Sequence, residues 1–228
     1  MSLTRSDVEE GRLQEMIVQS KSAASFLSEA ELQASLCNTL QQQPEKDVWL
    51  FAYGSLIWNP IFRFVERRVG TIYGFHRQFC LWVPAGRGTP DNPGLVLGLD
   101  RGGSCRGIAF RIAAADISSE LLLVWRREMI VGSYVPRWVR VEDGKQGFKA
   151  ITFVINRQHR RYAGELSQET TVNSIATASG HLGSCADYLM QTVNGLLSVG
   201  IKDKYLLRLR DQVMARQQLL AKAHSRPC

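Results

Sequence analysis

The sequence predicts an α+β fold: a barrel-like, strongly curved sheet flanked by helical ends. Three observations predict it. Between Val48 and about Asn156 the chain reads as many short strands at close spacing, with Asp91-Asn92-Pro93-Gly94, Arg101-Gly102-Gly103 and Asp143-Gly144 as turns between them. Only one clear helix, from about Asp116 to Ile130, interrupts these strands, so the regular βαβ alternation of a parallel sheet is absent. The chain before Val48 and after residue 156 carries helical spacing instead.

Residues 1–46 read as a helical extension. Ser28 and Glu31 form a capping box, and Leu32, Leu36 and Leu40 follow at helical spacing. Gln41-Gln42-Gln43-Pro44 ends the extension as a short connector. Residues 47–228 read as the main domain. Its first strand, Val48–Phe51, is a short apolar run expected to be buried; it meets Gly54-Ser55 and ends at the turn signal Asn59-Pro60. Further strands are expected at Val69–Tyr73, Phe75–Val83, Leu95–Leu99, Arg106–Ile112, Val135–Val141 and Phe148–Ile155. Ser184 and Asp187 mark a helix start; Leu189, Val193, Leu196 and Leu197 give that helix an apolar face and Gly200 a stop. Leu206, Leu209, Val213 and Leu220 give a second amphipathic helix. Its Arg208, Arg210, Arg216 and Lys222 are few and mixed with Asp211, which favours a solvated basic face over a membrane-surface helix.

The chain of 228 residues is 45% hydrophobic and 21% charged, an ordinary globular composition that can bury a core without metals or disulfides. The net charge of +7 is spread along the chain without a Lys/Arg block, which argues against nucleic acid and is compatible with small anionic substrates. Five cysteines, Cys37, Cys80, Cys105, Cys185 and Cys228, are scattered with no C-x-x-C, as in a reduced, cytoplasmic protein. Asp7, Glu9 and Glu10 near the start do not fit a secretory leader, and no run of about 20 apolar residues suits a bilayer. His76, His159, His181 and His224 are dispersed without metal-ligand spacing, so no metal or cofactor is expected. A His76/Cys80 dyad is conceivable, since strand residues four apart share a face. Walker A, G-x-G-x-x-G and G-x-S-x-G motifs are absent.

Two stretches carry chemistry. The first is Phe51-Ala52-Tyr53-Gly54-Ser55-Leu56. A buried strand entering a glycine turn presents several backbone N–H groups at one point, a concavity suited to a carboxylate; an ordinary strand-to-loop turn is the plainer reading. The second is Glu128. Leu121, Val124 and Trp125 lie seven, four and three residues before it, so the carboxylate falls on the apolar stripe of its own helix. Burial raises a carboxyl pKa toward the range useful for proton transfer. A structural ion pair with Arg111 or Arg77 is the alternative. Tyr134, after the turn at Gly132, can bring a hydroxyl near Glu128 or can be a core aromatic satisfied by backbone.

Phe51-Ala52-Tyr53-Gly54-Ser55-Leu56-Ile57-Trp58-Asn59-Pro60 resembles the signature of the ChaC-type γ-glutamylcyclotransferases. Gly74–Cys80, Pro93-Gly94, Gly102-Gly103, Gly107–Arg111 and Arg127–Tyr134 resemble it in the same order, from about residue 47 to 200. The N-terminal extension and Ser179–Gly183 look like bacterial members. Two departures are Ala52, where many members have Gly, and Cys185, where some have Asn. The resemblance implies the small mixed β-barrel of that superfamily with flanking helices. It also implies cleavage of glutathione to 5-oxoproline and Cys-Gly without metal or cofactor. Phe51–Leu56 matches the family's substrate-binding loop and Glu128 its catalytic acid/base.

This chemistry suits the residues. The γ-glutamyl amine attacks its own γ-carbonyl, and a carboxylate such as Glu128 takes its proton and later protonates the leaving amine. Loop N–H groups would hold the α-carboxylate, and Tyr134 is expected near the developing oxyanion. Cyclisation of other γ-glutamyl-amino acids or γ-glutamylamines, and metabolite binding without catalysis, are the competing expectations.

Overall fold

The computed structural model describes residues 3–19, 25–43 and 46–224. Pro44, Cys228 and the side chain of His224 lie outside the described residues. The chain forms α1 (Arg5–Glu9), α2 (Arg12–Gln19), α3 (Glu29–Leu40), β1 (Val48–Ala52), α4 (Ser55–Trp58), β2 (Glu66–Val83) and β3 (Gly94–Ile112). It continues with α5 (Ile117–Glu128), β4 (Tyr134–Val141), β5 (Phe148–Ile155), α6 (Gln168–Thr177), the short pair β6 (Ser179–Gly180) and β7 (Gly183–Ser184), α7 (Cys185–Leu197) and α8 (Lys204–His224).

All five residues of β1 are buried, as expected for a strand covered on both faces. It lies at the centre of a sheet of order β2-β3-β1-β5-β4, antiparallel to β3 and parallel to β5. The sheet curls until its edges meet. Thr71 and Glu142 exchange backbone hydrogen bonds of 2.9 Å across the closure, and a Cβ on Gly70 would sit 2.3 Å from Val141 Cγ1. A residue with no side chain at position 70 is what lets β2 and β4 touch.

The four strands expected between Val69 and Ile112 are two. Tyr73–Phe75 is a bulge, not a break: Gly74 takes φ 83° and pairing resumes at Phe75↔Arg101. Opposite it, Gly102 (φ 95°) and Gly103 (φ 66°) stay within β3 instead of forming a turn. A second shift at Phe79/Leu81 adds to the bend of this long hairpin. The Asp143-Gly144 turn forms as expected, with Asp143 Oδ1 accepting from Lys145 N at 3.0 Å.

The helices cover the sheet. Trp125 of α5 is fully buried and meets Phe153 edge-on at 5.0 Å. The capping box at Ser28 starts α3, which lays Leu32 and Leu36 into the main core. Ser35 and Thr39 accept hydrogen bonds from the indoles of Trp125 and Trp138 at 3.1 and 2.9 Å. α1 packs through Val8 into a smaller cluster of Leu3, Ile61 and Leu123. The capping box at Ser184 starts α7, and Gly200 (φ 74°) follows it. Leu189, Val193 and Leu196 are buried, but Leu197 is 38% exposed: one residue past Leu196 on a helix is a turn of about 100°, away from the core. Leu206, Leu209 and Val213 bury the inner face of α8, with Leu220 half-buried.

Candidate functional site

The end of β1 and the end of α5 converge. After Ala52 the chain turns through Tyr53 and Gly54 into α4, so the expected loop is a short helix beginning at Ser55. No side chain caps α4; in its first turn Ile57 N donates to Gly54 O at 3.0 Å, and helix geometry gives the N–H groups of Ser55 and Leu56 no partner inside the helix. The last turn of α5 clamps it: Arg127 donates from Nη1 to Asn59 O and from Nη2 to Ser55 Oγ, both at 2.8 Å.

Glu128 is the last residue of α5, with its side chain 14% exposed. The helical count holds, since Leu121, Val124 and Trp125 are fully buried beside it. Burial pushes the Glu128 carboxyl above the ordinary glutamate value of 4.5, and the neighbouring Arg127 charge opposes that rise. Arg127 Nε lies 3.2 Å from Glu128 Oε1. Arg77 and Arg111, the alternative partners, lie elsewhere. Arg77 pairs with Asp203 and donates to Tyr53 O and Arg106 O; Arg111 pairs with Asp47 and Glu66. The strand guanidiniums of Arg77 and Arg111 meet loop and strand carboxylates on this curved sheet, not the end of α5.

A narrow inner cavity lies between these elements. Phe51, Ala52, Tyr53, Gly54, Ser55, Leu56, Glu128 and Tyr134 all line it, so the sequence-predicted residues come together at one place. Leu97, Phe153 and Tyr188 complete the wall. Tyr134 donates its hydroxyl proton to Leu97 O at 2.7 Å, so that hydroxyl is satisfied by backbone. Tyr188 was not singled out from the sequence because it sits in the apolar face of α7. The available signal was a hydroxyl-bearing ring in a stripe of aliphatic residues, which must find a polar partner when buried. A Cβ on Gly54 would come within 3.2 Å of the Tyr188 hydroxyl oxygen. Burial, and next the Glu128 charge, hold the Tyr53 and Tyr188 hydroxyls above the ordinary tyrosine value; burial raises Tyr134 as well.

The inner cavity opens past Ser55, Glu128, Tyr134 and Tyr188 into a wider vestibule that shares those four residues. Leu3, Leu13 and Met16 form one wall of it, and Arg87, Arg127 and Arg161 also face it. The arrangement offers a protonatable carboxyl at the junction of two compartments, with the β1–α4 turn lining the inner one.

Other candidates do not assemble. His76 Nδ1 and Nε2 lie 3.1 Å from Gly102 O and 3.2 Å from Gln78 Oε1, whereas the bulge at Phe79/Leu81 turns Cys80 into the core. Burial pushes the Cys80 thiol up to about 12, which makes it inert as a nucleophile at neutral pH. Cys37, Cys80, Cys105 and Cys185 are all free. Cys185 is a packed thiol that donates to the carbonyls of Arg87 and Leu95 at 3.3 and 3.4 Å. Among the described residues no three His, Cys, Asp or Glu side chains group as metal ligands, and no helix is long and apolar enough to cross a membrane.

The family model for ChaC-like protein matches residues 48–216. An Escherichia coli (strain K12) relative named glutathione-specific gamma-glutamylcyclotransferase is 40% identical over 190 residues, covering 82% of this chain and 81% of its own. A human relative, glutathione-specific gamma-glutamylcyclotransferase 1, is 29% identical over 173 residues, covering 73% of this chain and 78% of its own. A crystal structure of the yeast cyclotransferase specific to glutathione superposes with a TM-score of 0.68 at 21% identity, covering 75% of this chain and 97% of that one, and supports the fold. The curled sheet, the α4 turn and the carboxyl of α5 all fall within the matched residues, and the chain belongs to the ChaC-like protein family.

Proposed function

We propose that the protein cleaves glutathione by intramolecular cyclisation of its γ-glutamyl group, releasing 5-oxoproline and Cys-Gly. The observation that carries the reading is Glu128, a buried carboxyl of raised pKa at the junction of the inner cavity and the vestibule. The names of the relatives support the substrate. In this reading the γ-glutamyl group enters the inner cavity, and the first N–H groups of α4 meet its α-carboxylate. Glu128 accepts a proton from the α-ammonium, and the freed amine attacks the γ-carbonyl carbon. Once the ring nitrogen is bonded, Glu128 passes its proton to the departing cysteine nitrogen and the amide C–N bond breaks. It then relays the surplus proton of the ring nitrogen to the released amine, ending in the state in which it began. The nucleophile belongs to the substrate, so no covalent enzyme intermediate forms.

The chemistry belongs to residues 47–228, with the helices of residues 1–46 supplying a vestibule wall. The four free cysteines fit a reducing compartment, which we take to be the cytoplasm. Incubation with glutathione and, separately, with γ-glutamyl-alanine tests the reading, with 5-oxoproline measured by mass spectrometry. Release from glutathione is expected. Release from γ-glutamyl-alanine alone would redirect the substrate to other γ-glutamyl compounds, and release from neither would leave a binding role.

A further inference from the structure

Arg87 lines the vestibule, not the inner cavity, and is only 8% exposed. Its guanidinium lies 5.8 Å from the centre of the Tyr188 ring, and Nη1 donates to Ser184 O at 3.1 Å. A guanidinium carries five N–H donors. Arg77, buried to a similar degree at 6% exposure, shows how this protein treats such a group: an ion pair with Asp203 and two carbonyl acceptors. Among the described residues no carboxylate forms an ion pair with Arg87. A buried cation without a counter-charge is unfavourable, and burial accordingly pulls the Arg87 pKa down.

The backbone around Arg87 is fixed from two sides. A Cβ on Gly180 would fall 2.4 Å from Gly86 O, and one on Gly94 would fall 2.5 Å from Arg87 O. Such close approach is open only to glycine. The protein therefore holds a rigidly mounted cation, without an ion-pair partner among the described residues and with only the more distant Asp187 charge to offset it, in the wall of a largely apolar compartment. Arg127, by contrast, is occupied by Asn59, Ser55 and Glu128.

Given the cyclisation reaction, on which this step rests, the amide that breaks lies at Glu128 and the leaving group occupies the vestibule. Glutathione's leaving group is a dipeptide that ends in a carboxylate. We propose that Arg87 binds this terminal carboxylate and so sets the preference for γ-glutamyl dipeptides that carry it. Arg87 is then a specificity residue: it touches the leaving group and takes no part in proton transfer.

The test compares glutathione with its glycinamide, which has the same length but no terminal charge. kcat/KM for 5-oxoproline release is measured on the wild type and on Arg87→Gln, Arg87→Lys and Arg161→Gln, with melting curves as folding controls. The wild type should prefer glutathione by about 10- to 100-fold, the usual worth of a charge-assisted hydrogen bond. Arg87→Gln should collapse that ratio toward one, mainly through KM. Arg87→Lys should restore part of it, and Arg161→Gln should keep it. A wild type that does not discriminate overturns the proposal, and so does a ratio that survives Arg87→Gln or follows Arg161 instead. If Arg87→Gln fails to fold, the wild-type ratio and Arg87→Lys decide. Absence of 5-oxoproline from both substrates with folded wild type is a different result: it sinks the cyclisation reaction itself.

Discussion

Two glutamates on one helix define the residue scale. Glu120 and Glu128 lie on the same inward side of α5, eight residues apart, yet they are held in opposite states. Glu120 is fully buried, which by itself would raise its pKa, but hydrogen bonds from Arg5 at 2.6 Å and from Arg63 at 2.9 Å bring it below the ordinary value. Among the described residues Glu128 has its chain neighbour Arg127 as ion-pair partner, burial outweighs that charge, and its pKa goes up. The same substitution should therefore give opposite outcomes. Glu120→Gln should lose about 1–3 kcal/mol of stability, discounted because both arginines reach solvent, and should leave a folded protein active. Glu128→Gln should hold or gain stability, since Arg127 keeps Asn59 and Ser55, while 5-oxoproline production falls about 10² to 10⁴-fold. Melting curves and turnover on the two purified variants check this; near wild-type turnover in Glu128→Gln would remove it as the base. The helical count was enough to find Glu128 in the sequence. Glu120 escaped it because its partners are 115 and 57 residues away, a distance no local pattern reports. Gly54 makes a third case. A glycine in this turn leaves room for a bound carboxylate, but the first atom a new Cβ meets is the Tyr188 hydroxyl at 3.2 Å. Gly54→Val should raise KM for glutathione about tenfold in a folded protein by displacing Tyr188. If KM is unchanged, the β1–α4 turn is not part of the substrate site.

At the scale of elements, the departures from the sequence reading come from glycine. Gly74 and the pair Gly102-Gly103 look like turn residues and are bulge residues, because pairing in the β2–β3 hairpin resumes on the far side of them. Local composition reports the positive φ but cannot say whether the partner strand continues. Local composition also hid α4: Ser55–Trp58 is mostly apolar, and the hydrogen bonds that tie both ends of this turn to α5 come from Arg127, 68 residues beyond Asn59. Elements with strong local signals came through almost unchanged, namely the capped α3 and α7 and the strand Phe148–Ile155. Gly70 tests the closure these elements build. A side chain there would overlap Val141 Cγ1 at 2.3 Å and press on Glu142 O at 3.3 Å. Gly70→Val should cost at least about 1–3 kcal/mol by overpacking, and hydrogen exchange should show the Thr71 and Glu142 amides losing protection first. Equal loss of protection across the whole sheet would mean that the closure is not a separately weak seam.

For the whole molecule, the two classes of carboxylate predict how stability and activity trade against pH. Glu120, Asp100, Glu66 and Asp143 all have lowered pKa values in the folded protein. Below their folded values they are protonated in both states; above the ordinary values of 3.8 and 4.5 they are charged in both. Between these limits the unfolded chain binds more protons, so the stability they supply is present above about pH 4.5 and is lost as pH falls through their folded values. Glu128 has the opposite sign. Its folded pKa is raised above 4.5, so between 4.5 and that value the folded protein binds the extra proton. Stability from this group therefore declines as pH rises through the window, and the decline is complete once Glu128 is ionised. The ionised form is also the one that can accept the substrate's proton, so activity should rise over the same range. The two effects are readings of one titration. The Tm difference between Glu128→Gln and wild type should grow from about pH 4.5 upward and level off at the folded pKa of Glu128, which is where the acid limb of wild-type kcat/KM should have its midpoint. A levelling-off that coincides with the kinetic midpoint, above 4.5, ties the base to Glu128, because the substitution removes that one acid titration. A kinetic midpoint well separated from the pH at which that difference levels off would place proton acceptance on a group other than the carboxyl at the end of α5.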